Sequence, residues 1–488
     1  MPTQLDPRYA TDAHSSRIGS LVFASLTRSN ASGSVQPYLA ESWSREGPRL
    51  YRFRIRRDFR FHDGTPVAAE DVVATYHSLM DRSMASPRRA TLSSVESVSV
   101  GQGEAEVVFR LKTSDASFLD ATSAGVLPRR FAGERDLAPD ELVGSGPYSI
   151  ERVADDELIS LVAFGDFADG RPAIPRIEFR VIPDGTMRAL ELQHGSIDMV
   201  QNALDPDTVD WLRQDSTVLS VLRSASNSFQ YIGMNLEHPA LSDVRVRRAL
   251  AVAVDREAIV EHLLNGKARV ASGVLPPHHW AFEGNVRRYH YNPARARSLL
   301  ERAGLQDPDG PDGPLPRLRL SYKTTTDELR RRIAEAISNQ LAGVGIELQI
   351  LSYEWGTFYA DVKRGSFHLY SLAWVGITDP DIFRTVFHSD MAPPDGANRG
   401  RFSDPIIDRL VDRARTVCGQ RTRARIYARV QKRAARLLPY IPLWWPDNVV
   451  VANTRLENFS PHPSGDLFLL WKARLEDPED LRIQVRRP

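Results

Sequence analysis

DELRRRIAEAISNQLAGVGIELQI, residues 327–350, changes its periodicity halfway. Leu329, Ile333, Ile337 and Leu341 recur at every fourth position, one stripe of a helix, and Asp327 stands ahead of them as an N-cap for the first-turn N–H groups. Gly343 and Gly345 stop the helix, and Ile346, Leu348 and Ile350 then alternate with polar residues as a half-buried strand does. A helix feeding a strand through a short glycine turn is α/β architecture.

The same reading extends outward. SDVRVRRALAVAVDREAIVEHLLNG (242–266) predicts two helices: Ser242 caps the first, with Val246, Leu250 and Ala253 on its stripe, and Asp255 starts the second, which ends at Gly266. Two more helices are expected near 404–417 and 421–438, ahead of the aromatic and proline segment YIPLWWPDNVVV. The N-terminal part is richer in strands. In YRFRIR (51–56), Tyr51, Phe53 and Ile55 share one face and the arginines the other, and VESVSVGQGEAEVVFRL (95–111) predicts two strands around a Gly101–Gly103 turn. IEFRVI (177–182) is a strand leading into a helix capped by Thr186, which stops at Gly195 before the strand IDMV. DPDGPDGPLP (307–316) is a loop: a calcium loop needs glycine where Asp312 stands, and no glutamate closes the ligand set.

A chain of 488 residues exceeds one hydrophobic core and predicts two or three domains. With 63 basic and 62 acidic residues it lacks the concentrated positive field that nucleic acid requires. Its single cysteine, Cys418, excludes a disulfide framework, a thiolate metal cluster and a paired redox centre. No run approaches the ~20 apolar residues of a membrane span, and MPTQLDPRYATDAH has neither a basic nor an apolar signal region.

Catalytic signatures are sparse. Gly144-Ser145-Gly146-Pro147 has the wrong spacing for a nucleophile elbow, and neither a phosphate-binding loop with lysine nor a Rossmann glycine triplet occurs. His278 and His279 are adjacent and point apart, and His62 in FHDG reads as a turn residue. SLAWVGITDPDIF (371–383) sets Asp379 and Asp381 around a proline. Glycosidic hydrolysis requires carboxylates that flank the scissile bond, and two on one short turn lie on the same side of a substrate. That segment therefore reads as a pocket wall, with a carboxylate-dependent hydrolase as the alternative from another class.

Several blocks, in order, carry a resemblance. They are VQPYLAESW (35–43), FRIRRDFRFHDGTPVAAEDV (53–72), VGSGPYSI (143–150), IPRIEFRVIPD with ALELQHGSIDMV, YIGMNLEHPALSDVRVRRALAVAVDREAIV (231–260) and YNPARARSLLERAG (291–304). Together they resemble the extracytoplasmic solute-binding proteins of ABC importers, family 5, the peptide- and nickel-binding branch with dipeptide- and oligopeptide-binding members. The resemblance implies a two-lobed α/β protein of the periplasmic-binding-protein type II-like fold with an extra inserted subdomain (cluster C). Lobe I would comprise 1–40, 166–231 and 445–488, the insert 41–165 and lobe II 232–444, with hinges near Met234 and Trp445. It implies a monomer without cofactor or enzymatic step that captures di- to oligopeptides in an interlobe cleft and delivers them to the transmembrane subunits of a permease. Other solutes on this scaffold are an oligosaccharide, an opine-like conjugate or a metal chelate. The implied location is periplasmic, or extracytoplasmic and membrane-anchored, with an export signal expected upstream of Met1.

The resemblance also suggests where ligand would bind. In peptide-binding members a strand ending in W-x-x-D pairs with the ligand backbone, and the aspartate neutralises the α-amine. Leu372, Ala373, Trp374, Val375 and Gly376 match that strand, but the third position after Trp374 is Ile377. Asp379, or Asp12 within Thr11-Asp12-Ala13, which matches a first-lobe strand after Leu5-Asp6-Pro7, are the candidate replacements. An amine held by neither would be desolvated at considerable cost. Asp379 also reads as a cap for a helix at Ile382. Asn398 and Arg399 resemble another cleft-adjacent segment, where Arg399 offers carboxylate a planar fork, and Trp355 is a candidate for a side-chain pocket.

Overall fold

The computed structural model describes residues 4–485 except 104, 155–156, 311–312, 395, 418 and 477–480; Asp312 and Cys418 thus lie outside the described residues. The chain forms two compact units. One comprises Met1–Ala225, Thr416–Cys418 and Asn448–Pro488, the other Ser226–Arg415 and Gly419–Asp447. In unit 2 the first part of the strand Tyr440–Asn453 pairs with Phe229–Met234, and in unit 1 its last part pairs with Met199–Gln201.

Unit 2 is built around residues 318–353. Leu318–Thr325 and Ile346–Tyr353 pair in parallel, and the helix Glu328–Ala342 connects them. Asp327 caps that helix by accepting from Arg330 N, and Ile333, Ala334, Ile337 and Leu341 are buried against the sheet. The turn into the strand needs only one of its glycines: Gly345 has φ +82°, whereas Gly343 is right-handed at φ −60°. Leu369–Trp374 and Phe229–Met234 continue the sheet, followed by the first part of Tyr440–Asn453.

Two helix starts differ from the sequence expectation, both because an aspartate takes the cap. Asp243, not Ser242, caps Val244–Ala253 by accepting from Arg245 N, while the Ser242 hydroxyl closes a preceding single turn by donating to Pro239 O. In unit 1, Asp184, not Thr186, caps Gly185–Gln193 by accepting from Met187 N. A carboxylate meets the positive end of a helix as an anion, which a hydroxyl cannot. The helix restarted by Asp255 ends at His262, and Gly266, at φ +66°, turns the chain into the strand Ala268–Val270.

Within unit 1, a four-stranded antiparallel sheet runs in the order Ala40–Glu46, Leu50–Ile55, Glu106–Leu111, Val95–Val100. Tyr51, Phe53 and Ile55 enter its core with Val72, Tyr76 and Leu79 of the helix Ala69–Met80. A second core forms where Tyr148–Ala154, Leu158–Ala163, Arg176–Val181 and Leu481–Val485 pair in sequence. His62 joins FHDG to VGSGPYSI: Nδ1 accepts from Gly144 N, and Nε2–H donates to Gly146 O at 3.1 Å. Glycine is required at 144 and 146 because an added Cβ would lie 1.9 Å from Val22 O and 2.4 Å from Leu21 O. Gly-Ser-Gly is thus a close-packed crossing over the helix Ala13–Val22. Nearby, the buried Arg8 pairs with Asp6 and donates to Ser78 Oγ, Ala132 O and Glu134 O, so Leu-Asp-Pro-Arg anchors the chain start.

Candidate ligand site

The strand Leu369–Trp374 is fully paired on one edge, from Phe229↔Trp374 to Met234↔Leu369. On the other edge its register with Leu318–Thr325 covers only Leu369 and Tyr370. Among the described residues, Ser371–Trp374 therefore presents an edge without a ladder partner, able to add an extended chain by main-chain hydrogen bonds. Val375 beyond it is 57% exposed. Gly376 then takes φ +67° and redirects the chain, so that Ile377 is buried with its N–H donating to Asn227 O. The position where the resemblance expects an aspartate thus faces the interior.

A column of rings and one cation borders this strand. Trp355 and Tyr359, one helical turn apart, stack with centroids 5.2 Å apart and planes 10° apart. The Arg399 guanidinium lies 5.1 Å from the Tyr359 centroid and 5.1 Å from that of Trp374, and Nη2 donates to the Tyr359 hydroxyl at 3.0 Å. Trp374 stacks on Tyr231 at 6.3 Å, and Tyr231 on Tyr440 at 4.0 Å. Such contacts favour a cation held over ring faces. Burial raises the Tyr231, Tyr370 and Tyr440 phenols above their ordinary value, so all three are neutral at physiological pH.

The remaining candidates divide between surface and scaffold. Trp355 is 42% exposed at the outer end of the column. Asn398 is buried and fixes its own loop: Oδ1 accepts from Phe402 N, and Nδ2 donates to Phe402 O and His388 O. Asp379 accepts both Arg423 Nη atoms, at 2.7 and 2.9 Å, in a pair whose side chains are 13% and 8% exposed, and its Oδ1 also accepts from Asp381 N. Burial works against the Arg423 charge, but Asp379 beside it holds its pKa above the ordinary value. The helix cap position itself is Asp381, which makes no side-chain cap bond; it contacts the Tyr427 hydroxyl at 3.3 Å and Arg415 Nε at 3.5 Å.

Thr11-Asp12-Ala13 lies in unit 1 and is a helix entry, not a strand: Asp12 Oδ1 accepts from His14 N and Ser15 N, and Oδ2 from Ser15 Oγ. Thr11 and Ala13 are exposed, and Asp12 is partly buried. The sequence reading missed Tyr359, Tyr231, Tyr370, Tyr440 and Arg423. The i,i+4 spacing of Trp355 and Tyr359 was a usable signal; Arg423, 44 residues from Asp379, gave none.

His279 secures the segment after the strand. Its Nε2–H donates to Thr378 O at 3.0 Å and Nδ1 accepts from Ala281 N, which fixes the neutral tautomer, and burial lowers its pKa to about 4. His278 turns elsewhere, to the side-chain oxygen of Asn227. Among the described residues no group of three or more His, Cys, Asp or Glu is placed to hold a metal ion, and no helix is long and apolar enough to cross a membrane.

Residues 34–391 match the family of bacterial extracellular solute-binding proteins, family 5. The chain is 29% identical to the oligopeptide-binding protein AppA of Bacillus subtilis, covering 96% of this chain and 89% of that protein. It is 26% identical to the dipeptide-binding protein of Escherichia coli, over 81% and 78% of the two chains. The structure of B. subtilis AppA in complex with a nonapeptide superposes with a TM-score of 0.82 at 28% identity, covering 98% of this chain and 97% of that one. NikZ from Campylobacter jejuni in complex with Ni(L-His) gives 0.83 at 25% identity, over 97% of each chain. The family match spans most of the chain, and with it the blocks from 35 to 304 and the candidate strand: this protein is a member of the family 5 bacterial extracellular solute-binding proteins.

Proposed function

We propose that the protein is the solute-capturing component of an ABC importer, working outside the cytoplasm as a monomer that binds peptides and passes them unaltered to the transmembrane subunits of a permease. The observation that carries this reading is the unpaired edge of Ser371–Trp374, beside the ring column of Trp355, Tyr359 and Trp374. An edge of this kind bonds to the backbone of an extended peptide and is indifferent to its side chains. Relatives named for peptide binding point the same way. A hydrolase finds less support, since Asp379 and Asp381 are engaged by Arg423, Arg415 and Tyr427. The test is a thermal-shift screen with di- to pentapeptides. A ligand at 100 times its Kd stabilises the bound form by about 2.7 kcal/mol, a readily measured shift. No shift with any peptide rejects the proposal.

A further inference from the structure

Arg399 is 8% exposed, yet among the described residues it has no carboxylate partner. Its polar contacts are with neutral tyrosine hydroxyls: Nη2 donates to Tyr359 at 3.0 Å, and the Tyr370 hydroxyl is the other within reach. Around it, the hydroxyls of Tyr231, Tyr370 and Tyr440, each at least 96% buried as residues, and Trp374 Nε1 form a polar cluster whose members can serve one another but carry no negative charge. All three phenols lie within electrostatic reach of the Arg399 charge. A buried cation needs an anion, and phenols that stay neutral cannot supply one. The carboxylates that the sequence offers for a ligand amine are meanwhile occupied: Asp379 by Arg423, Asp12 by its own helix.

We infer that this protein holds its ligand through a carboxylate at Arg399 and not through an amine at an aspartate, so that its substrates are peptides and peptide-like acids with a free carboxylate, whether the amino end is free or blocked. This rests on the peptide reading above. A carboxylate suits this cation, because the guanidinium, 5.1 Å from the ring centroids of both Tyr359 and Trp374, is a planar fork of N–H groups that matches a two-oxygen acceptor. An aromatic or planar group next to that carboxylate would extend over the exposed Trp355 end of the column.

The test presents the full chain with one tri- to pentapeptide library in three forms, unmodified, N-acetylated and C-amidated, and identifies retained peptides by mass spectrometry, with Kd values for the most enriched sequence. The expected result is retention of the unmodified and acetylated forms and at least a tenfold weaker Kd on amidation, with the same loss in Arg399→Gln and partial recovery in Arg399→Lys. Sodium benzoate is a second probe: at millimolar concentration it should raise the melting temperature of the wild type but not of Arg399→Gln. Equal binding of amidated and free peptides, or loss on acetylation, overturns the inference while leaving peptide binding intact. Failure of all three libraries with an Arg399-dependent benzoate shift overturns the peptide reading and confines the inference to non-peptide acids. No benzoate shift together with no effect of amidation overturns it outright. An Arg399→Gln protein that does not fold leaves the amidation comparison on the wild type to decide.

Discussion

Removing the Asp379 carboxylate tests whether this residue holds the fold or the ligand. In Asp379→Ala the Arg423 guanidinium, 8% exposed, loses both hydrogen bonds and the charge opposite it, and Asp381 N loses its acceptor. An uncompensated buried charge costs about 3–5 kcal/mol. Unit 2 contains about 220 residues, for which 1 kcal/mol lowers the transition by about 2–4 °C, so the expected fall is about 6–20 °C. Calorimetry suits the measurement, because two units need not unfold in one transition, and only that of unit 2 should move. Replacing both partners, Asp379→Leu with Arg423→Met, should restore stability to within about 1 kcal/mol, since no charge is then left buried. Asp379→Asn, which keeps an acceptor for Asp381 N, should leave peptide affinity within about twofold if binding does not use this carboxylate. A melting temperature lowered by less than about 2 °C together with a tenfold loss of affinity would refute the reasoning and make Asp379 the ligand anchor.

Three further outcomes are expected. His279 is neutral in the folded chain down to about pH 4, whereas in the unfolded chain it titrates near 6.5. The unfolded state therefore takes up the proton first: stability is level above about pH 6.5 and falls towards pH 4 by up to about 3 kcal/mol. Urea midpoints of unit 2 should follow this course and flatten in His279→Asn; His62, also lowered to about 4 by burial, adds a similar slope in unit 1. Gly233→Ala should destabilise unit 2 by about 1–3 kcal/mol, because the new Cβ would lie 2.2 Å from Tyr370 Cζ; Tyr370→Leu should relieve the clash, and a melt unchanged by Gly233→Ala contradicts the packing. Arg8→Met leaves the buried Asp6 unpaired, so the unit 1 transition should weaken by about 3–5 kcal/mol with that of unit 2 unmoved; a loss under about 1 kcal/mol refutes the anchoring role.

The elements were legible wherever burial imposes a period on the sequence. Ile333, Ile337 and Leu341 marked a helix because one face is sealed, and Tyr51, Phe53 and Ile55 marked a strand for the same reason. Caps were less legible, since Ser242 and Asp243 are both competent and only the backbone geometry selects one. The family was legible as well, because short turns such as Gly144-Ser145-Gly146 are fixed by close backbone approach, which leaves a sequence little freedom.

By itself the sequence determined the α/β class, the family and the segment around Trp374, since these depend on local period and on motifs contiguous in the chain. It also determined that Ile377 stands where an aspartate was expected. Only the tertiary structure decided which charges remain available. Asp379 and Arg423 lie 44 positions apart and neutralise each other across 2.7 Å, while Arg399 meets Tyr359 and Trp374 from two other segments and no acid among the described residues. Charge pairing acts through space at a few ångströms, and contacts between residues so far apart in the chain leave no period from which to read them.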